Sequence, residues 1–276
     1  MAQPTSPAEF LDVGHPADAL KRLQAQVRER PEDAKLRTFL FQLLCVLGQW
    51  ERARVQLELC GQLDHATLAM VNTYREALKC ELVREAVFAG KTTPMVLGQP
   101  QVWVASLVEA IQADARGEGA LGAKLRADGL AAAPPTPGHI DGQAFEWIAD
   151  ADSRLGPVLE AVVNGRYVWV PFSAVTKISF EAPSDLRDLV WAPAYLTLVN
   201  GGETVALVPT RYVGSGAEAD GTVQMARKTE WLGIGADHFR GVGQRMLTTN
   251  ALDLGLLEVR EITLEPLPGE AGEEMV

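Results

Sequence analysis

A pattern of five residues occurs twice near the start of the chain, and the copies are 34 residues apart. Both copies hold a glycine, then a small alanine, then a leucine; the positions are Gly14, Pro16, Ala19, Leu23 and Pro31, repeated as Gly48, Trp50, Ala53, Leu57 and His65. The glycine lets the chain turn after a helix, the alanine allows two helices to approach, and the leucine fills the space between them. The pattern therefore predicts stacked pairs of helices.

This period and the position of the alanine are typical of tetratricopeptide (TPR) helical hairpins. Such stacks carry no chemistry of their own and usually hold another protein. Because the composition changes in the second half, we expect a multidomain α and β protein. It would have an N-terminal TPR-like α-α superhelix and a C-terminal α+β domain with an antiparallel sheet.

The 276 residues exceed the usual size of one domain, which favours two. Helical periodicity extends to residue 132 and predicts helices over 17–29, 33–48, 51–62, 66–89, 102–115 and 121–132. Asp33 is a suitable cap for the second of these. We expect a helical repeat domain over 1–132, a proline- and glycine-rich linker over 133–141, an α+β domain over 142–265 and an acidic disordered tail over 266–276.

Short β-branched and aromatic segments predict the strands of the second half, at 167–170, 176–180, 194–199, 203–208, 223–226 and 257–264. Asn200 and Gly201 predict a hairpin turn between two of them. One helix is also expected here: Ser153 would cap it, Pro157 suits its first turn, and Gly165 would end it. Its buried side would hold the apolar residues Val158, Leu159, Val162 and Val163.

The net charge of −11 is unevenly distributed along the chain. Residues 1–132 hold 15 basic and 16 acidic side chains, whereas residues 133–276 hold 10 basic and 20 acidic ones. The second half would repel a phosphate backbone, and the first has no stripe of lysine and arginine, so nucleic acid is not an expected partner. A basic protein segment is a better electrostatic partner.

Targeting and redox signals are absent from the sequence. No apolar run of 18 residues exists, and the first ten residues lack a basic start and an apolar stretch, so we expect neither a membrane span nor a signal peptide. Cys45, Cys60 and Cys80 are expected to be buried free thiols in the cytoplasm. Closely spaced cysteine and histidine pairs are missing, so no metal and no cofactor are expected.

The most enzyme-like group of residues is Asp150, Asp152 and Arg154. Two carboxylates at this spacing could bind a cation or act as acid and base. Alternatively, they cap the following helix and pair with the arginine. Arg211, which follows a strand and a proline, could hold a carboxylate in its two-pronged geometry, or it could form an internal ion pair.

A second candidate lies at residues 227–231, where Lys228 and other charged residues precede Trp231. This segment could be an edge that recognises a peptide, with Trp231 as the anchor. It could equally be a solvated strand edge whose charges prevent aggregation. The glycine-rich segment 241–245 lacks the lysine and the third glycine of a phosphate-binding loop, and the four histidines are far apart in sequence.

Eight phrases of the second half, in this order, resemble the ImpE/SciE family, also called TagJ: WIADADSRLGP (147–157), NGRY (164–167), WVPF (169–172), DLRDLVW (185–191), NGG (200–202), PTRY (209–212), ARKTEW (226–231) and GQRML (243–247). With the TPR-like start, the resemblance spans roughly residues 8–264. It implies a cytoplasmic accessory protein of the bacterial type VI secretion system. The resemblance also implies binding to the N-terminal helix of the sheath small subunit, and assistance to the AAA+ ATPase that disassembles the sheath. It implies no catalytic residue.

We therefore expect a binding protein that takes up an amphipathic helix of its partner on the concave face of the helical stack or at its junction with the β domain. The expected walls are Arg37, Phe41, Tyr74 and Arg75, and Arg211, Lys228 and Trp231 are the expected partner contacts of the second half. An enzyme with a site around Asp150, Asp152, Arg154 and Arg211 is the competing hypothesis, and a structural subunit of a homo-oligomer is a third.

Overall fold

The computed structural model describes residues 5–99 and 101–266. Its first half is helical, with α1 (Pro7–Asp12), α2 (Pro16–Glu29), α3 (Ala34–Val46), α4 (Trp50–Leu63), α5 (Leu68–Phe88), α6 (Val102–Ala115) and α7 (Gly119–Ala132). None of the helices in these residues is both long and apolar enough to cross a membrane.

The six helices predicted from periodicity are confirmed as α2 to α7, with ends that differ by at most two residues. Asp33 caps α3 as expected, because its carboxylate accepts hydrogen bonds from the Lys35 and Leu36 amides, both at 3.1 Å. Gly14 and Gly48 adopt positive φ, 82° and 63°, where the chain turns between helices. The repeated alanines and leucines are fully buried. The 34-residue pattern thus has the mechanical roles that it predicts.

The second half is dominated by one large sheet. Its strands are β1 (Met95–Val96), β2 (Gly138–Ile140), β3 (Gln143–Phe145), β5 (Val158–Val163), β6 (Arg166–Pro171), β7 (Val175–Phe180), β8 (Trp191–Leu198), β9 (Glu203–Pro209) and β14 (Glu261–Leu264). The order is β1-β6-β5-β9-β8-β7-β14-β2-β3. All neighbours pair antiparallel except β1, which lies parallel to β6. The mixed α and β fold with an antiparallel-rich sheet is therefore confirmed.

Smaller strands lie beside this sheet. β4 (Ile148–Asp150), β12 (Met246–Thr249) and β13 (Asp253–Gly255) form a three-stranded sheet, and β10 (Thr229–Gly233) and β11 (Phe239–Gly243) form a two-stranded ribbon. A short helix, α8 (Gly221–Gln224), precedes the ribbon. The predicted hairpin at Asn200 and Gly201 is confirmed between β8 and β9.

The helix predicted within residues 153–163 is wrong, because Val158–Val163 is strand β5 in the middle of the large sheet. Leu159, Ala161 and Val163 face one apolar core, whereas Val158 and Val162 face another. Burial on both faces removes the alternation that marks a strand, so the apolar run is ambiguous from sequence.

Three other local predictions also changed in the structure. Asn164 and Gly165 both have positive φ and form the turn of the β5–β6 hairpin, not a helix end. The predicted strand 223–226 overlaps helix α8, which Asp220 caps through the Thr222 amide at 2.8 Å. The predicted strand 257–264 begins only at β14, since residues 256–258 form a 3₁₀ turn.

The two halves share their apolar cores. Trp191 of β8 lies in the same cluster as Phe41 of α3 and Tyr74 of α5, and Trp169 of β6 lies with Leu107 of α6. Residues 138–140 of the predicted linker form β2, and most of the predicted tail, residues 267–276, lies outside the described residues. The helices and the sheet therefore pack as one body.

The repeated glycines are also points of contact between the halves. A Cβ atom on Gly216 would lie 2.6 Å from the Gly48 amide nitrogen, and one on Gly221 would overlap the Gly14 carbonyl oxygen. Both turns of the repeat therefore rest directly on the backbone of the segment 215–224. Only glycine permits so close an approach of two main chains.

We predict that Gly216→Ala lowers the free energy of unfolding by about 1–3 kcal/mol, because the new methyl group would force the two backbones apart. Urea denaturation measures this change. Gly119→Ala is the matched control, since a Cβ atom there meets nothing within 4 Å. Equal stability of the Gly216→Ala variant and the wild type would show that this contact is looser than described.

Candidate functional site

The most concentrated set of charged groups is buried at the junction of the two halves. Arg84 of α5 donates two hydrogen bonds to Glu160 of β5, Nε to Oε1 at 2.7 Å and Nη2 to Oε2 at 3.0 Å. Arg245 donates to Glu160 and also to Asp150. All four side chains are buried. We call these four residues the buried ionic cluster.

Aromatic and acidic side chains complete the hydrogen bonding around this cluster. The Tyr167 hydroxyl donates to Glu160 and accepts from the Trp169 indole at 2.8 Å. Glu81 accepts from Arg84 at 3.3 Å and from the Trp191 indole at 2.9 Å. The donors and acceptors of the cluster thus satisfy one another, as buried charges require.

The two carboxylates of the cluster differ in their electrostatic environment. Burial raises the pKa of Asp150 to about 7, since loss of hydration outweighs the charge of Arg245 and the nearby Asp152 carboxylate adds repulsion. Burial also opposes ionisation of Glu160, but Arg84 and Arg245 together outweigh it and lower its pKa to about 2. Glu160 is therefore the anchoring anion between two guanidinium groups.

The predicted group Asp150, Asp152 and Arg154 is partly brought together. Asp152 pairs with Arg154, with Nη2 to Oδ2 at 2.6 Å, and accepts from the Gly241 amide at 3.0 Å. The expected pairing is confirmed, but no helix follows for the carboxylates to cap. Arg154 also lies over the Phe88 ring at 4.5 Å from its centroid. These groups are buried and mutually neutralised, and the described residues contain no cluster of three or more potential metal ligands.

Arg211 is an internal bridge. Its guanidinium donates to the carbonyl oxygens of Val46 at 2.6 Å and Cys45 at 3.1 Å, at the C-terminal end of α3, and also to that of Gln224. A cation is favourable where a helix leaves carbonyls unpaired. Burial lowers the pKa of Arg211 to about 10. The predicted role in partner binding is therefore wrong for this residue.

Two of the predicted helical wall residues are also internal. Phe41 and Tyr74 lie 6.0 Å apart between ring centroids, and Tyr74 lies 5.6 Å from Trp191 of the sheet. Both are buried because the second half covers this face of the helical stack. They are not available to a partner, so the prediction that they form walls of the binding surface is wrong.

Arg37 and Arg75 remain partly exposed on the helical half. Arg75 forms an ion pair with Glu58 at 2.8 Å. Arg37 donates to the Pro31 carbonyl at 2.6 Å and the Gln56 side chain at 3.0 Å, and lines a groove of about 330 Å³ on the outer face. We call this the α2–α4 groove; its walls include Val27, Arg28, Arg37, Leu40, Arg52 and Val55.

Lys228 and Trp231 line a larger depression of about 760 Å³, between the ribbon and the three-stranded sheet. We call this depression the ribbon cleft. Trp231, which is 40% exposed, and Phe239, which is 46% exposed, line it together with Met246. The Trp231 ring lies on Tyr212, 5.7 Å between centroids. Lys228 pairs with Asp220 at 3.4 Å and with Glu230. A half-exposed tryptophan whose ring packs against a buried tyrosine is a suitable anchor for a protein segment.

Sequence reasoning missed Glu160, Arg84 and Arg245. A usable signal exists at Glu160, which interrupts the apolar run Val158 to Val163. A lone carboxylate in a segment buried on both faces requires a cation, because ionised side chains are almost never buried unpaired. Which arginine supplies that cation depends on the tertiary fold.

Comparisons with known proteins agree with this architecture. Residues 142–263 match the family model described as ImpE protein. The chain is 52% identical over 258 residues to the type VI secretion system accessory component TagJ of Pseudomonas aeruginosa. The aligned region covers 94% of this chain and 90% of the relative. The chain belongs to the ImpE family. The resemblance noted in the sequence is thereby confirmed.

A solved structure shares the fold of this ImpE family member. The crystal structure of protein VPA1032 from Vibrio parahaemolyticus superposes on this chain with a TM-score of 0.88. The superposed region covers 96% of this chain and 99% of the VPA1032 chain. The two sequences are only 23% identical. The arrangement of helices and sheet is therefore common to both chains.

We predict that Glu160→Gln lowers the free energy of unfolding at pH 7 by about 3–5 kcal/mol, because two buried guanidinium groups lose their shared anion. The stabilisation by ionised Glu160 is complete above its ordinary pKa of 4.5 and is lost as the pH falls through about 2. The difference between wild type and variant should therefore shrink over that interval.

Urea denaturation at several pH values measures this difference. Glu146→Gln is the control, because Glu146 is exposed and its side chain has no partner in the part of the chain that the structure describes. A constant difference between wild type and Glu160→Gln from pH 5 to pH 2 would contradict the assignment of Glu160 as the anchoring anion.

Proposed function

We propose that this protein is a non-enzymatic accessory component of a bacterial type VI secretion system. In this role it binds the N-terminal helix of the sheath small subunit and assists sheath assembly or disassembly by the AAA+ ATPase. The observation that carries the proposal is the 52% identity to an accessory component of that system across nearly the whole chain. In this role the protein lies in the cytoplasm with the sheath, and neither nucleic acid nor a membrane is its partner.

The buried ionic cluster favours a binding role over an enzymatic one. Catalytic acids and bases must reach the proton that they transfer. Asp150, Asp152 and Glu160 are instead enclosed, and each is engaged by an arginine. The pair of Glu160 with Arg84 joins the two halves, and the pairs of Asp150 with Arg245 and of Asp152 with Arg154 lie within the second half. The hypothesis of a carboxylate and arginine active site therefore has no geometric support.

Two open surfaces carry residues that the sequence predicts as partner contacts, the α2–α4 groove with Arg37 and the ribbon cleft with Lys228 and Trp231. We assign Arg37 and Arg75 to the contact on the helical side, and Lys228 and Trp231 to the contact on the ribbon side. The Lys228 ion pairs are about half exposed, and such pairs contribute only about 0–1 kcal/mol, so a partner can replace them at little cost.

Titration calorimetry of the full chain with a peptide of the sheath small subunit's N-terminal helix tests the proposal. We expect saturable one-to-one binding, and no binding of a peptide with the same composition in scrambled order. Absence of binding of the native peptide at high micromolar concentration would refute the proposal. Measurable turnover of a substrate that depends on Asp150 would favour the enzyme instead.

We predict that Trp231→Ala weakens binding of the sheath small subunit at least about tenfold, because buried tryptophan anchors contribute about 2 kcal/mol or more at interfaces. The measurement uses the purified whole subunit, so that contacts beyond its N-terminal helix are included. Trp147→Ala is the matched control, since Trp147 is 37% exposed and lies outside the ribbon cleft. Equal affinities of the two variants would exclude the cleft as a contact surface.

A further inference from the structure

The α2–α4 groove is built from one strip of side chains on each of three helices. α3 contacts both neighbours and supplies Leu40 and Leu44 to the floor, together with Arg37. Residues 27 and 28 of α2 and residues 52 and 55 of α4 form the two sides. With Gln24 on α2 and Gln56 on α4, which also line the groove, each set follows i, i+3 and i, i+4 spacing and lies on one face of its helix. The groove is thus an apolar channel between helices with basic groups on each side.

Arg28, Arg37 and Arg52 give this groove an unusual charge. Within the part of the chain that the structure describes, none of the three forms an ion pair, whereas Arg30 and Arg54 nearby pair with Asp33 and Glu51. No carboxylate lines the groove. Three uncompensated guanidinium groups therefore surround an apolar floor on a chain whose net charge is −11.

The walls of the groove select a helical occupant over an extended one. Backbone N–H and C=O groups within α2, α3 and α4 are bonded inside each helix, so they cannot pair with an added strand. A further helix can instead lay an apolar face into the space between packed helices, at an interaxial distance of about 8–10 Å. Val55, which is 48% exposed, offers the main apolar contact for that face, and the buried side chains of Leu40 and Leu44 form the floor beneath it.

We infer that the α2–α4 groove binds an amphipathic helix whose apolar face is flanked by glutamate or aspartate. The apolar side chains pack against Val55 and over the buried floor formed by Leu40 and Leu44, and the flanking carboxylates pair with the guanidinium groups of Arg28 and Arg52. Arginine suits this role because its planar fork binds a carboxylate through two parallel hydrogen bonds. This inference rests on the proposed function and specifies the chemistry of the helix that the adaptor accepts.

Two designed helical peptides test the inference, by fluorescence anisotropy with the full-length protein. Both carry leucines at i, i+3, i+4 and i+7; one has glutamates on the flanks of this face, and the other has lysines there. We expect the glutamate peptide to bind at least about tenfold more tightly in low salt, and the preference to shrink as salt is added. The net charge of the protein favours the opposite order, so equal or tighter binding of the lysine peptide would overturn the inference.

Charge reversal locates the effect. Arg28→Glu combined with Arg52→Glu should invert the preference between the two peptides, because both arginines are exposed and line the groove. Arg22→Glu combined with Lys35→Glu changes the net charge equally at exposed helical positions outside the groove and should leave the preference unchanged. The same loss in both double variants would show a general electrostatic effect and contradict the site.

The sheath peptide separates this inference from the proposed function. If that peptide binds the wild type and the Arg28 and Arg52 double variant equally, the adaptor role stands and the groove is not its site. If it binds neither protein while the glutamate peptide shows the expected preference, the proposed partner is wrong and the groove chemistry stands. Failure of the glutamate peptide to bind the wild type would reject the groove in either case.

Discussion

The contact between Arg84 and Glu160 is the constraint on which the rest of the molecule depends. Arg84 belongs to the helical half and Glu160 to β5, an interior strand of the large sheet, and both side chains are buried. A buried charge without its partner is strongly unfavourable, so the folded state requires the helices and the sheet to be docked. Arg211, which binds the end of α3 from the sheet side, adds the same requirement at a second point.

This docking determines which surfaces can take part in binding. Repeat stacks commonly use their concave face to hold a partner. In this chain, the face that carries Phe41 and Tyr74 is occupied by Trp191 and its neighbours from the sheet. The second half therefore covers this face of the helices, whereas the α2–α4 groove and the ribbon cleft stay open. Two separate open surfaces are compatible with an adaptor that contacts more than one component.

The sequence predicts the local structure of this chain better than its assembly. Helices α2 to α7 follow from apolar spacing, and the turn glycines and the Asp33 cap follow from local backbone chemistry. These features depend on neighbours in sequence. The strand at 158–163 is misread because a segment buried on both faces loses its alternation, and burial on the second face is a tertiary property.

The candidate site divides in the same way. Asp152 and Arg154 are only two residues apart, so their pairing could be predicted from the sequence. The charged neighbours of Trp231 likewise indicate a place at the surface. Arg211 and Asp150 are misjudged because their partners lie 165 and 95 residues away, in Val46 and Arg245. Phe41 and Tyr74 resemble wall residues of a free stack, and only the packing of the second half shows otherwise.

The glycines of the repeat have a consequence for how this architecture can change over evolution. Solenoid proteins lengthen readily, because each added unit touches only its neighbours. Here the turns at Gly14 and Gly48 each rest on a fixed backbone position, near Gly221 and Gly216. Insertion of a duplicated helical pair between these two turns would move one of them away from the glycine that it contacts. The number of repeats is therefore tied to the dimensions of the sheet-bearing half, and the stack cannot grow as an independent module.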